Sequence, residues 1–162
     1  MTDDIQCCAG GSLSEEERAA CVSLIREGGA IVNSNTAEAR LPQAMLVAIN
    51  RVGQEIVGVG AIKRSNIQRA SSIARDSHFQ FDPHSHELGY VAVAKSHRGK
   101  KRSRRITEAL CSTFQERPLF ATTSDEHMKK TLRWAGFVQQ DQEWQGNSGQ
   151  LSFWILNVTP TP

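Results

Sequence analysis

Ser14 followed by Glu15-Glu16-Glu17 is a capping-box helix start, and Cys21, Leu24 and Ile25 then share one helical face until Gly28-Gly29 ends the pattern. Ahead of it, Ile5–Cys8 reads as a short first strand broken by Gly10-Gly11. A short helix is expected around Thr36–Leu41. Met45–Asn50 and Glu55–Lys63 are apolar runs joined by Arg51-Val52-Gly53-Gln54, a hairpin pattern. Gly58 and Gly60 inside the second run mark a bulge or a close backbone approach. Residues 64–86 are polar and read as a long connection with a helical turn near Ile67–Ala74; connections of that length are often binding loops. Glu87–Ala94 is the clearest strand. A helix from about Lys101 to Phe114 follows, with Ile106, Ala109, Leu110 and Phe114 as its buried stripe and Arg117-Pro118 as its stop. Leu119–Thr123 is a short strand, and Ser124 or Asp125 caps a helix that carries Met128 and Leu132 and ends at Gly136. Phe137–Glu143 and Gln150–Leu156 form a last hairpin across Gly146–Gly149. Strands and helices in this order, with at least one strand–helix–strand crossover, predict an α/β (α+β mixed sheet) fold.

Length adds one constraint. The 162 residues amount to about one domain at roughly 150 per domain, so 1–162 is read as a single domain with a core of its own. No apolar run approaches the roughly 20 residues of a membrane span, and the acidic start Met1-Thr2-Asp3-Asp4 does not resemble a secretory signal. Cys7, Cys8, Cys21 and Cys111 form no C-x-x-C pair and read as reduced thiols, so a cytoplasmic location is expected. His84, His86 and Glu87 invite a metal reading, but the stretch offers too few well-spaced ligands and no metal is expected. His78 or His84 is a candidate for lining a substrate pocket. Trp134, Trp144, Trp154 and Phe153 are expected to pack in the core or the hairpin, and Cys111 to be an inert core thiol.

The net charge of +2 is too mild to name a partner, but its distribution is not even. Seven of the eleven residues 95–105 are Lys or Arg, at a point where a strand enters a turn at Gly99 and then a helix. Cations at a helix N-terminus oppose the macrodipole, so a merely solvated basic helix start is physically odd. A nucleic-acid patch is a second reading, weakened by the lack of any aromatic in 95–105. A third is a phosphate cradle, where a ligand's negative charge removes the conflict with the dipole.

Two separated blocks resemble the GNAT superfamily of N-acetyltransferases. The first is Glu87-Leu-Gly-Tyr-Val-Ala-Val, then Arg98-Gly99-Lys100-Lys101-Arg102-Ser103 and the helix through Glu108-Ala109-Leu110, similar to that family's acetyl-CoA motif of a strand followed by R-G-x-G-x-G/A. The second runs from Ala121-Thr122-Thr123-Ser124-Asp125 to Leu132-Arg133-Trp134-Ala135-Gly136-Phe137, similar to the family's strand, helix and "aGF" element. The resemblance implies a GNAT-like acyl-CoA N-acyltransferase fold with a splayed central sheet, a cofactor motif over about 87–116 and a C-terminal helix and hairpin over about 118–157. It implies transfer of an acetyl group from acetyl-CoA to an amine by direct attack. Glu87 would be the general base, and Val91, Ala92, Val93, Arg98, Gly99, Lys100, Lys101, Arg102, Ser103 and Asp125 would hold the cofactor. Lys101 departs from the usual glycine and Asp125 from a common asparagine. Leu132 stands where the family often has the tyrosine that protonates the leaving thiolate, and Tyr90 is the only tyrosine in the chain. In a regular strand Tyr90 and Glu87 point to opposite faces, and a bulge at Gly89 would break that parity. The expected partner is an amine-bearing small molecule, peptide or protein, with neither nucleic acid nor membrane; a homodimer stays open. The alternative is a non-catalytic protein that uses 95–105 to bind nucleic acid or coenzyme A.

Overall fold

The computed structural model describes residues 2–28, 34–140, 143–146 and 149–157. Its strands are β1 (Asp3–Cys8), β2 (Leu46–Val52), β3 (Glu55–Lys63), β4 (His86–Val93), β5 (Leu119–Thr123), β6 (Val138–Gln139), β7 (Trp144–Gly146) and β8 (Gly149–Leu156). Its helices are α1 (Glu15–Glu27), α2 (Ser34–Arg40), α3 (Ile67–Ser77), α4 (Arg102–Thr113) and α5 (Glu126–Trp134). The sheet order is β1-β2-β3-β4-β5-β8-β6, with β7 paired to β8. The β4–β5 pair is parallel and the other pairs are antiparallel. The mixed-sheet expectation therefore holds. The helical turn expected near Ile67–Ala74 is a full helix, α3, capped by the Asn66 side chain, which accepts from the Arg69 backbone N–H. Ser14 and Glu17 complete the capping box of α1. Part of the last hairpin, at 141–142 and 147–148, lies outside the described residues, as does the tail at 159–162.

One core packs α1, Ala37, Leu41 and Ala44 on one sheet face, and a second packs α4 and α5 on the other. Tyr90 belongs to the first and Leu88 to the second. β3 and β4 carry an irregularity between them: Val59 pairs with Ala92 and Ala61 with Gly89, so Gly60 faces both Tyr90 and Val91. That is a β-bulge, and Tyr90 takes φ 56° to make it. The extra residue breaks the alternation, so Tyr90 faces the same side as Glu87. Gly60 serves the other face. A Cβ there would stand 2.6 Å from Ile106 Cγ2 and 3.0 Å from Leu110 Cδ1, so the glycine lets α4 lie close on β3. Both readings of the glycine pattern, bulge and close approach, apply at this residue.

Trp154 and Phe153 are buried as expected, whereas Trp134 is about half exposed (48%) with the Arg104 guanidinium 4.1 Å from its ring centre. It sits at the last residue of α5 with the core filled by Leu132 and Phe137, which leaves its ring outside. Cys111 is buried, and burial pushes its thiol up to about 11, a value suited to an unreactive core residue.

Gly60→Ala tests the close approach. The new methyl must displace Ile106 or Leu110, and overpacking of this kind costs about 1–3 kcal/mol. Urea unfolding of the variant should show that loss, and a midpoint equal to the parent's would disprove the contact.

Candidate active-site cleft

Pairing between β4 and β5 stops almost as soon as it starts. Only His86–Leu119 and Glu87–Phe120 are in register, so residues 88–93 have β3 on one edge and no strand on the other. Into this splay opens a cleft of about 1600 Å³ that runs from the α1–α3 side of the sheet to the first turns of α4 and α5. Val91, Ala92 and Val93 line it from β4, and Thr122, Thr123 and Asp125 from the β5 side.

At the α4 end, the chain leaves β4 through a short 3₁₀ turn (Lys95–His97), then reaches Gly99 with φ 93° and Lys101 with φ 55°. Nothing lies within 4 Å of a Cβ built at Gly99, so the glycine serves the backbone angle and leaves the turn open to a ligand. Lys101 is the N-cap of α4 and makes no side-chain cap bond, and the first turn of α4 has no acidic residue. The N–H groups of that turn have no partner within the helix and face a site that favours an anion. Arg98, Gly99, Lys101 and Ser103 line the cleft here.

Two of the sequence-selected cations lie elsewhere. Lys100 is not among the residues that line the cleft. Arg102 lines it in part, but its guanidinium turns inward, 4% of the residue being exposed. It donates to Asp3 Oδ1 (2.9 Å), Asn50 Oδ1 (2.9 Å) and the His97 carbonyl (3.0 Å). Asn50 also donates to Asp3, and these bonds hold the Asp3 carboxyl down at about 2. The cluster ties α4 to β1 and β2 beneath the turn, so the Arg102 side chain holds the turn in place rather than reaching into the cleft. Asp125 caps α5 by accepting from the His127 N–H and is among the residues that line the cleft.

The other end is built around Glu87. This carboxylate is 5% exposed and takes two hydrogen bonds from Arg69 of α3, at 2.8 Å from Nε and 2.9 Å from the terminal amino group. Lys63 Nζ stands 3.8 Å away, its side chain laid across Gly89 and over the Tyr90 ring at 4.1 Å. Burial alone would push Glu87 up; Lys63 and Arg69 outweigh it and hold the carboxyl below its usual range. That pairing weakens Glu87 as a proton acceptor. Burial pushes Lys63 down against the pull of Glu87, and pushes Tyr90 up. Neither Lys63 nor Arg69 stood out in the sequence. Their only signal was position: Lys63 ends an apolar run, and Arg69 follows an Asn cap by three residues.

The remaining sequence candidates fall outside. His78 and His84 do not line the cleft, His78 being the left-handed C-cap of α3. His86 packs edge-on against Phe114, and among the described residues no three His, Cys, Asp or Glu converge as metal ligands. Leu132 is fully buried, so no proton donor stands at its position. Among the described residues no helix is long and apolar enough to cross a membrane. Charge is segregated: nine of the nineteen Lys and Arg line the cleft, against two of the seventeen Asp and Glu.

No family model and no curated protein sequence matches the chain. Solved structures do. A GNAT-family acetyltransferase from Streptococcus agalactiae superposes with a TM-score of 0.74 at 11% identity, over 96% of each chain. The ribosomal-protein-S18-alanine N-acetyltransferase of Escherichia coli gives 0.69 at 11% identity, over 99% of this chain and 97% of that one. The yncA protein of Salmonella typhimurium, solved with its cofactor acetyl-CoA, gives 0.68 at 16% identity, over 100% of this chain and 97% of that one. The chain thus has the GNAT acetyltransferase fold.

Proposed function

We propose that the protein is an N-acetyltransferase that moves the acetyl group of acetyl-CoA to an amine by direct attack. The observation that carries this reading is the splay itself: a strand edge left unpaired at 88–93 leads into an uncapped, cation-rich helix start. A phosphate-binding patch needs the second feature but not the first. The diphosphate would rest on the backbone of 98–103 with Arg98 and Lys101 beside it. The pantetheine arm would pair along Val91–Val93, as a substitute for the missing strand.

In the reaction the amine nitrogen bonds to the thioester carbonyl carbon and the carbonyl oxygen gains negative charge. Backbone N–H groups on the free edge of β4 are the donors available to it. Collapse breaks the C–S bond, and the nitrogen loses a proton while the thiolate gains one. Sequence resemblance assigned Glu87 to the first proton. With Arg69 on both oxygens, Glu87 is better suited to anchoring Arg69 and Lys63. The cations around it disfavour an ammonium and lower the acceptor's own pKa, so the amine enters neutral and solvent takes its proton. Tyr90, neutral and covered by Lys63, packs the site, and the thiolate is protonated by water.

Three experiments bear on this reading. Gly99→Glu puts a side chain at a left-handed angle and a negative charge into the cradle. Calorimetry should show loss of coenzyme A binding by a protein with unchanged far-UV circular dichroism; retained affinity, or a shift by an oligonucleotide alone, would favour the nucleic-acid alternative. Tyr90→Phe should keep turnover in a thiol-release assay within about tenfold, since a general acid is typically worth 10²–10⁴. A hundredfold loss with coenzyme A affinity intact would make Tyr90 the acid. For Glu87 the pH profile decides. If it only anchors, kcat/KM should rise with pH along the amine's own titration, and an acceptor of lower amine pKa should move that limb down. A limb fixed below pH 5 for every acceptor would restore Glu87 as the base.

A further inference from the structure

The acceptor end of the cleft carries an unusual charge balance. Arg40, Lys63, Arg64 and Arg69 line it, and Glu87 is the only carboxylate among the described lining residues there. Glu87 is spent on Arg69 and Lys63. Among the described residues Arg64 gives its Nε to the Gln43 carbonyl at 3.3 Å and makes no ion pair, and Arg40, exposed at the end of α2, has neither a hydrogen bond nor an ion pair, its charge being felt at Glu87, Lys63 and Tyr90 only across space.

A cationic second group on the acceptor has no place to go. The one acidic side chain is taken, and the aromatic face that could receive an ammonium is covered by Lys63. A carboxylate has two guanidinium forks available, and Arg pairs with carboxylates in bidentate fashion. We infer that the acceptor is a small amine bearing a carboxylate, an amino acid in the broad sense, with its acid group held by Arg40 and Arg64 while its nitrogen points into the splay. Polyamines, aminoglycoside-like polycations and lysine-rich peptides are excluded by the same charges. This inference rests on the transferase reading and adds the substrate class to it.

The test uses matched probes: α- and ω-amino acids, their carboxamides and spermidine, each offered to the coenzyme A-loaded protein in a calorimeter and, with acetyl-CoA, in a thiol-release assay. At least one carboxylate should bind at least tenfold more tightly than its carboxamide, spermidine should not bind, and high salt should weaken the preference. Arg40→Gln, at an exposed position, should shrink the acid-to-amide ratio of KM toward one. Equal affinity for acid and amide, preference for spermidine, binding by none of the probes, or an undiminished ratio in Arg40→Gln would each overturn the inference. The two readings fail separately: carboxylate binding without transfer sinks the transferase reading, and transfer to the amide or polyamine sinks only the acceptor class.

Discussion

Everything functional in this fold depends on two strands failing to stay paired. β4 and β5 share two residue pairs and then diverge, in a sheet whose other long pairs run for five residues or more. The cause is local to β4. The bulge opposite Gly60 adds a residue and a left-handed angle at Tyr90, and a bulged strand bends and twists more than a regular one. Once bent, β4 presents a bare edge to the cleft and aims its end at the turn that starts α4. The same bulge brings Tyr90 to the side of Glu87, where Lys63 covers it.

The basic run 95–105 illustrates how one stretch of like charge divides its labour. Arg102 goes inward to Asp3 and Asn50, Arg105 reaches Asp3 from outside, and Arg104 lies on Trp134. Arg98 and Lys101 are left at the cleft. A buried arginine with three partners tolerates a position that opposes the macrodipole because its charge is answered by Asp3. Breaking such a pair typically costs about 3–5 kcal/mol, because the partner's charge is left uncompensated. The N-terminal strand thus has a part in the site: without Asp3, the support beneath the cradle is incomplete.

Local rules made most of the fold legible. The Ser14 box, the Asp125 cap and the strand and helix periods gave most elements to within a residue or two, but the strand expected over 137–143 is only Val138–Gln139, and it is the separate strand Trp144–Gly146 that turns back onto Gly149–Leu156. The α4 half of the site was legible too, because a glycine turn between strand and helix is a contiguous signal. The Glu87 half was not. Its meaning depends on Arg69, eighteen residues away on a helix that the sequence showed only as a turn, and on Lys63, whose partner is set by β3–β4 register. Ile67, Ala70, Ile73 and Ala74 recur at helical spacing, but they stand inside a long polar stretch that reads as a connection, so only a turn of the helix was legible. Contacts between distant segments are what periodicity cannot report.

The charge segregation follows from the chemistry the cleft is suited to. A chain with a net charge of +2 has no strong overall field, yet its cleft concentrates cations at both ends. Clefts of one sign with low-dielectric walls focus field lines and raise the local concentration of oppositely charged ligands. On the proposed reading, each of two anionic ligands meets its own set of cations, Arg98 and Lys101 at the α4 end and Lys63 and Arg69 at the Glu87 end. Glu87 keeps those two cations folded into the wall. Without a buried carboxylate to pair with, they would have to remain hydrated at the surface, and the field would disperse into solvent. The single negative charge at the Glu87 end is therefore what allows the positive field there to be built in.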